Sequence, residues 1–120
     1  MSKRNIVHVE IPAENLEKAG EFYGELFGWN IKQVPEMDDY LMWVAGDDSG
    51  GGFMPASSEY PAGQVLVYIA SDDIEEDLEK VMELGGKIVR EKTEIPGMGW
   101  YGVFEDPTGN VLALYTDLKG

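Results

Sequence analysis

The 120-residue sequence contains no cysteine and one histidine, His8. Without cysteine there can be no disulfides, thiolate metal sites or cysteine nucleophile, and a lone histidine leaves one imidazole for acid–base work or metal ligation. Basic residues are also scarce: 9 Lys and Arg against 23 Asp and Glu give a formal net charge of −14 and a pI near 4.2. Such a field repels phosphate backbones and anionic lipids, so neither nucleic acid nor a membrane surface is expected as a partner. A charged, soluble surface explains the acidity most simply, and residues 72–79 read as its solvated helix face. No apolar run approaches the ~20 residues that span a bilayer. No signal-peptide core follows Met1-Ser2-Lys3-Arg4, and a cytoplasmic location is expected. The length fits one compact domain, or two small half-domains sharing a core.

What the chain does contain is a histidine and a carboxylate at strand spacing. Along Ile6-Val7-His8-Val9-Glu10-Ile11, alternation places Ile6, His8 and Glu10 on one face and Val7, Val9 and Ile11 on the other. One face is apolar; the other can bind or move protons. The strand is expected to close before Pro12, which has no N–H to give to a ladder. Asn15 caps a helix over 16–27, Leu16, Ala19, Phe22, Tyr23 and Leu26 form its apolar stripe, and Gly28 ends it. Short strands at 29–34, 40–45 and 52–54 follow, separated by turn-rich segments at 35–39 and 46–51. With no helix after it and no lysine nearby, Gly50-Gly51-Gly52 reads as a flexible turn rather than a phosphate cradle.

The second half repeats this order. A strand at 64–70 leads to a cap at Ser71, Asp72 or Asp73 and a helix to about Leu84, with Ile74, Leu78, Val81 and Met82 as its stripe. Gly85-Gly86 stops that helix, and strands at 87–91, 100–105 and 111–115 complete the half. Superposing His8 on Leu66, a shift of 66 − 8 = 58, gives seven identities in the 22 positions from His8 to Trp29. A unit too small to bury its own sheet must pack against a copy. The expected fold is therefore α+β. Two tandem βαβββ modules, about 1–56 and 64–120 with a linker at 57–63, would form one domain with a curled mixed sheet, a concave cavity and helices outside.

Four texts carry a family resemblance: Val7-His8-Val9-Glu10-Ile11-Pro12, Glu21-Phe22-Tyr23-Gly24-Glu25-Leu26-Phe27-Gly28-Trp29, Tyr68-Ile69-Ala70-Ser71-Asp72-Asp73 and Asp106-Pro107-Thr108-Gly109-Asn110. Together they resemble the vicinal-oxygen-chelate superfamily of lactoylglutathione lyases, extradiol dioxygenases, epimerases, fosfomycin-resistance transferases and bleomycin-resistance proteins. The resemblance covers nearly the whole chain and implies the fold, not the chemistry. For metal-using members it implies ligands on the first strand of each module and on a last strand. His8 matches the first position, but Leu66 stands at the second. Ala113 takes the place of the acid in the usual Gly-Asn-x-x-Glu-Leu text, here Gly109-Asn110-Val111-Leu112-Ala113-Leu114. A stable Zn²⁺, Fe²⁺ or Mn²⁺ centre needs roughly three protein ligands, so neither a metal nor another cofactor is expected.

The repeat matches Glu10 with Tyr68, so His8, Glu10 and Tyr68 are expected to meet a ligand in one concavity. Glu10 and Tyr68 are the candidate catalytic groups, able to move a proton on a carbonyl or enol compound. Each also has a plainer reading: His8 as a half-buried histidine bonded to Glu10, Glu10 as a solvated carboxylate, Tyr68 as a packed ring. Of the strand aromatics, most are core, and Trp43 and Trp100 are the candidates to line an apolar ligand pocket. The resulting expectation is a metal-independent, homodimeric small-molecule binder or proton-transfer enzyme. Its nearest comparison in the family is the bleomycin-resistance type, whose acidic dimer sequesters a cationic drug. The alternatives are a metal-dependent lactoylglutathione-lyase-like isomerase or ring-cleaving dioxygenase, and an interaction module with a vestigial pocket.

Overall fold

The computed structural model describes residues 4–35, 37–46 and 49–118. The turns expected at Glu36 and at Asp47-Asp48 lie outside the described residues, as does Met1-Ser2-Lys3. The fold is α+β, with element order β1 (Ile6–Ala13), α1 (Leu16–Phe27), β2 (Asn30–Val34), β3 (Met37–Ala45), β4 (Ser49–Pro55), β5 (Leu66–Ala70), α2 (Ile74–Glu83), β6 (Lys87–Ile95), β7 (Gly99–Glu105) and β8 (Val111–Asp117). The order βαβββ thus occurs twice. The chain divides into two compact units, His8–Leu66 and Met1–Val7 with Val67–Gly120. One boundary therefore falls inside β1.

In the unit His8–Leu66 the strands lie in the order β2-β3-β4-β1, antiparallel except for the parallel pair β4/β1. The Asn15 side chain caps α1 by accepting from the Lys18 N–H at 3.0 Å. Gly28, at φ 74°, closes it in the left-handed region that favours glycine. The helix meets the sheet at Gly20, where a β-carbon would lie 3.1 Å from Ile31 Cγ2 and 3.4 Å from Leu41 Cδ1. Tyr23 stacks on Trp29 and on Phe53, and Trp29 stacks on Trp43 with ring centroids 4.0 Å apart. Because the contact centres on Gly20 and Tyr23, the outer part of the expected stripe stays in solvent: Phe22 and Leu26 are 60% and 58% exposed.

Several boundaries in this unit differ from the sequence expectation. β1 runs through Pro12 to Ala13, because the Ala13 carbonyl accepts from Ala56 N–H and turns the Pro12 nitrogen away from β4. β3 begins at Met37, which pairs with Val34 across a register shift. Gly50, Gly51 and Gly52 lie within β4 and are not a flexible turn. Gly51 and Gly52 are buried, and the space a side chain would need is filled by others: a β-carbon on Gly51 would stand 2.7 Å from Trp43 Cζ2.

In the other unit the order is β5-β8-β7-β6, again with one parallel pair, β5/β8. Asp73 caps α2 by accepting from Glu76 N–H at 3.1 Å. It stands 58 residues after Asn15, the same shift that aligns the repeat (73 − 15 = 58). Ile74, Leu78 and Leu114 form the buried cluster, with Ile88, Trp100 and Phe104 packed against it. Met82, from the expected stripe, is 55% exposed. β6 continues to Ile95 with register shifts on either side of Arg90.

Two polar assemblies tie this unit together. Arg4 donates to both carboxylate oxygens of Asp77, at 2.6 and 3.0 Å, and Ser71 Oγ donates to Asp77 at 2.6 Å. Burial pushes the Asp77 carboxyl up, but the hydrogen bonds from Arg4 and Ser71 and the Arg4 charge together hold it below its usual value. In the loop before β8, Asp106 accepts from the Asn110 and Thr108 backbone N–H groups and from both side chains. Those bonds, led by the Asn110 backbone, lower its carboxyl to about 2.

Candidate functional site

Each unit presents a cross-strand row on the sheet face turned away from its helix. In the first unit the row is Lys32 (β2), Met42 (β3), Gly52 (β4) and Glu10 (β1). In the second it is Arg90 (β6), Val103 (β7), Ala113 (β8) and Tyr68 (β5). The sequence shift of 58 that takes Glu10 to Tyr68 also takes Lys32 to Arg90. Strand register and sequence repeat therefore agree at the two ends of the row, while the inner pairs Met42/Val103 and Gly52/Ala113 are offset by 61.

On the first row, three polar side chains converge. His8 Nε2 lies 2.5 Å from Glu10 Oε2 and 3.0 Å from the Tyr40 hydroxyl oxygen. The Tyr40 hydroxyl donates to that same Glu10 oxygen. Strand alternation puts His8 and Glu10 side by side on β1, while Tyr40 arrives from β3, two strands away. Its ring crosses β4 at Gly52, where a β-carbon would clash with the Tyr40 hydroxyl and stand 2.8 Å from Glu10 Oε2. Glu10 is 4% exposed, and the His8 side chain retains 27% of its surface. A buried carboxylate is thus held by a phenol and an imidazole, with the imidazole nearest solvent.

Among the expected site residues, the structure brings His8 and Glu10 together in this unit. Tyr68 lies in the other unit, half-buried, its ring 6.4 Å from that of Tyr101. Trp43 lies on the opposite face of its sheet from Glu10, 5% exposed and stacked on Trp29, where it serves the core. Trp100 packs on the helix side with Ile74 and Leu78, its ring 5.0 Å from the Lys92 ammonium. Tyr40 is the member that sequence reasoning left among the undifferentiated aromatics. The signal that could have singled it out is the buried glycine on the neighbouring strand, which leaves a path for a ring.

A family model described as the Glyoxalase/Bleomycin resistance protein/Dioxygenase superfamily matches residues 5–114. The chain belongs to that superfamily. A "Glyoxylase-like domain-containing protein" of Didymella fabae is 29% identical over 90% of each chain. A "Probable lactoylglutathione lyase" of Vibrio parahaemolyticus is 28% identical over 95% of this chain and 91% of its own. Methylmalonyl-CoA epimerase of Streptomyces coelicolor, solved with 2-nitronate-propionyl-CoA, shares the fold with a TM-score of 0.71 at 18% identity, covering 96% and 95% of the two chains.

Many members of the superfamily hold a divalent ion, and the residues here do not fit the usual set of ligands. Leu66 and Ala113 are buried and have no side-chain donor atom, and Gly52, the first unit's equivalent of Ala113, has no side chain. The Nε2 of His8, the one matching ligand, already lies against Glu10 and Tyr40. Among the described residues, no group of three or more His, Cys, Asp and Glu side chains is arranged to hold a metal. No helix among them is long and apolar enough to cross a membrane.

Proposed function

We propose that this superfamily member moves a proton on a small carbonyl compound without a resident metal, with His8 as the base. The observation that supports this reading is the 2.5 Å approach of His8 Nε2 to a Glu10 carboxylate that also accepts from Tyr40. An ionised carboxylate only accepts, so the hydrogen-bond pattern assigns the ring proton to Nε2 and leaves the neutral ring's lone pair on Nδ1. The neutral imidazole is then the group that takes a proton from carbon next to a carbonyl and returns it to the enolate. The imidazolium formed in between sits against Glu10, where poor solvation strengthens their attraction. Tyr40 keeps that carboxylate in place, acting through Glu10 rather than on the substrate.

Two relatives' names support the substrate class, since S-lactoylglutathione and methylmalonyl-CoA are both thioesters with a hydrogen on the α-carbon. The test is exchange of that hydrogen in D₂O containing EDTA, followed by proton NMR for these two thioesters. The expected result is exchange that His8→Gln reduces to the background rate. Absence of exchange with both compounds, or exchange that appears only when a divalent ion is added, defeats the reading. Cytoplasmic action and assembly as a homodimer belong to the same proposal. The exposed Phe22, Leu26 and Phe27 of α1 support assembly, and light scattering should give twice the chain mass of 13.3 kDa.

A further inference from the structure

The second unit's row differs from the first in charge: it carries a cation and no carboxylate, where the first carries one of each. Tyr68 stands where the first unit has Glu10, and Arg90, half-buried, stands where it has the exposed Lys32. Tyr101, two residues before Val103, holds the place that Tyr40 holds two residues before Met42. The Tyr101 ring lies between the two ends of the row, 6.4 Å from the Tyr68 ring and 6.0 Å from the Arg90 guanidinium carbon. Beneath them the floor is short and apolar: Ala113 and Val103 are both 0% exposed. At the ordinary strand spacing, three steps from β5 to β6 separate Tyr68 from Arg90 by about 14 Å at their α-carbons.

We propose that this row binds a small aromatic carboxylate, with the anion on Arg90 and the ring against Tyr101 and Tyr68. The planar guanidinium fork matches a carboxylate bidentately, which an ammonium cannot do. Two phenol rings beside it offer offset or edge contacts to a flat ligand. Tyr101 already orients the guanidinium within cation–π range, so the side chain is partly ordered before a ligand arrives. A cation would instead face a row whose one formally charged side chain is positive. The inference stands apart from the role of His8, since it uses only residues of the second unit.

The experiment is calorimetric titration of the full chain with sodium benzoate, paired with nitrogen-resolved NMR of the arginine side chains. Benzoate should shift the Arg90 Nε signal, and neutral benzamide should bind at least tenfold more weakly. Arg90→Gln should weaken benzoate at least tenfold, and Arg90→Lys should recover part of the loss. Tyr101→Leu should weaken benzoate and leave acetate unchanged. Equal binding of benzamide and benzoate by the unmodified protein, or no shift at Arg90, overturns the proposal without any variant having to fold. Exchange chemistry at His8 is read separately, so failure here leaves that reading standing.

Discussion

Tyr40 reaches Glu10 by crossing the strand that separates them, and Gly52 is the residue it crosses. A methyl group at Gly52 would overlap the tyrosine hydroxyl and stand 2.8 Å from the carboxylate. Gly52→Ala should therefore expel the ring, costing about 1–3 kcal/mol and several degrees of melting temperature. Proton exchange should fall with it. Tyr40→Phe keeps the ring and loses one hydrogen bond, so exchange should drop only about tenfold. Calorimetric melts and exchange rates on the two variants check this.

Removing the charge beside His8 tests the assigned pair directly. Glu10→Gln should slow exchange by roughly 10²–10⁴-fold, the range general acid–base groups supply. Since the two side chains act as one unit, Glu10→Gln combined with His8→Gln should be no slower than the worse single variant. Multiplying rate losses would show that they work separately.

The Arg4–Asp77 pair makes a pH-dependent contribution whose direction is set. Asp77 has a folded-state value below its reference of 3.8, so its stabilisation is present above that value and disappears as pH falls through the lower folded one. The Arg4 side chain is 56% exposed, which limits the pair to about 1 kcal/mol or less. Asp77→Asn should destabilise the protein modestly at pH 7, and the gap from the unmodified chain should close below pH 4. Urea melts across pH 3–7 measure it.

Asp106 provides a sharper titration. Its carboxyl is lowered to about 2 by the backbone and side chain of Asn110 and then by Thr108, against a smaller upward push from burial. Carbon-detected NMR should place its midpoint near that value. The loop's contribution is present above the reference 3.8 and is lost as pH falls through about 2. Asn110→Ala removes one donor and should move the midpoint upward.

Much of this was legible from local rules. Both helices, and the caps of the first at Asn15 and Gly28, follow from the sequence, because capping and apolar spacing act within a few residues. The shift of 58 pairs Glu10 with Tyr68 before any coordinates are known, whereas the second cap stays open among Ser71, Asp72 and Asp73 until the bond from Glu76 N–H to Asp73 is seen. What escaped depends on neighbours distant in sequence. Gly50-Gly51-Gly52 has the composition of a loop but lies in a strand paired with β1 and β3, with Trp43 and Tyr40 filling the space on its two faces. Pro12 looks like a strand end until the orientation of the Ala13 carbonyl toward Ala56 is known. Tyr40 could not be separated from the other aromatics because its partner lies 30 residues earlier, on a strand it does not adjoin.

The ties of Arg4 also set an order of events during synthesis. Its partner Asp77 lies 73 residues downstream, and Ala70, which donates to the Asn5 carbonyl, is nearly as far. At about 5–20 residues per second, Arg4 emerges from the ribosome roughly 4–15 s before Asp77 does. Residues 8–66 have their own sheet and helix to build in that interval. The segment around Arg4 is thus among the last pieces to lock, so it would stay open to proteolysis in a nascent polypeptide until Asp77 emerges.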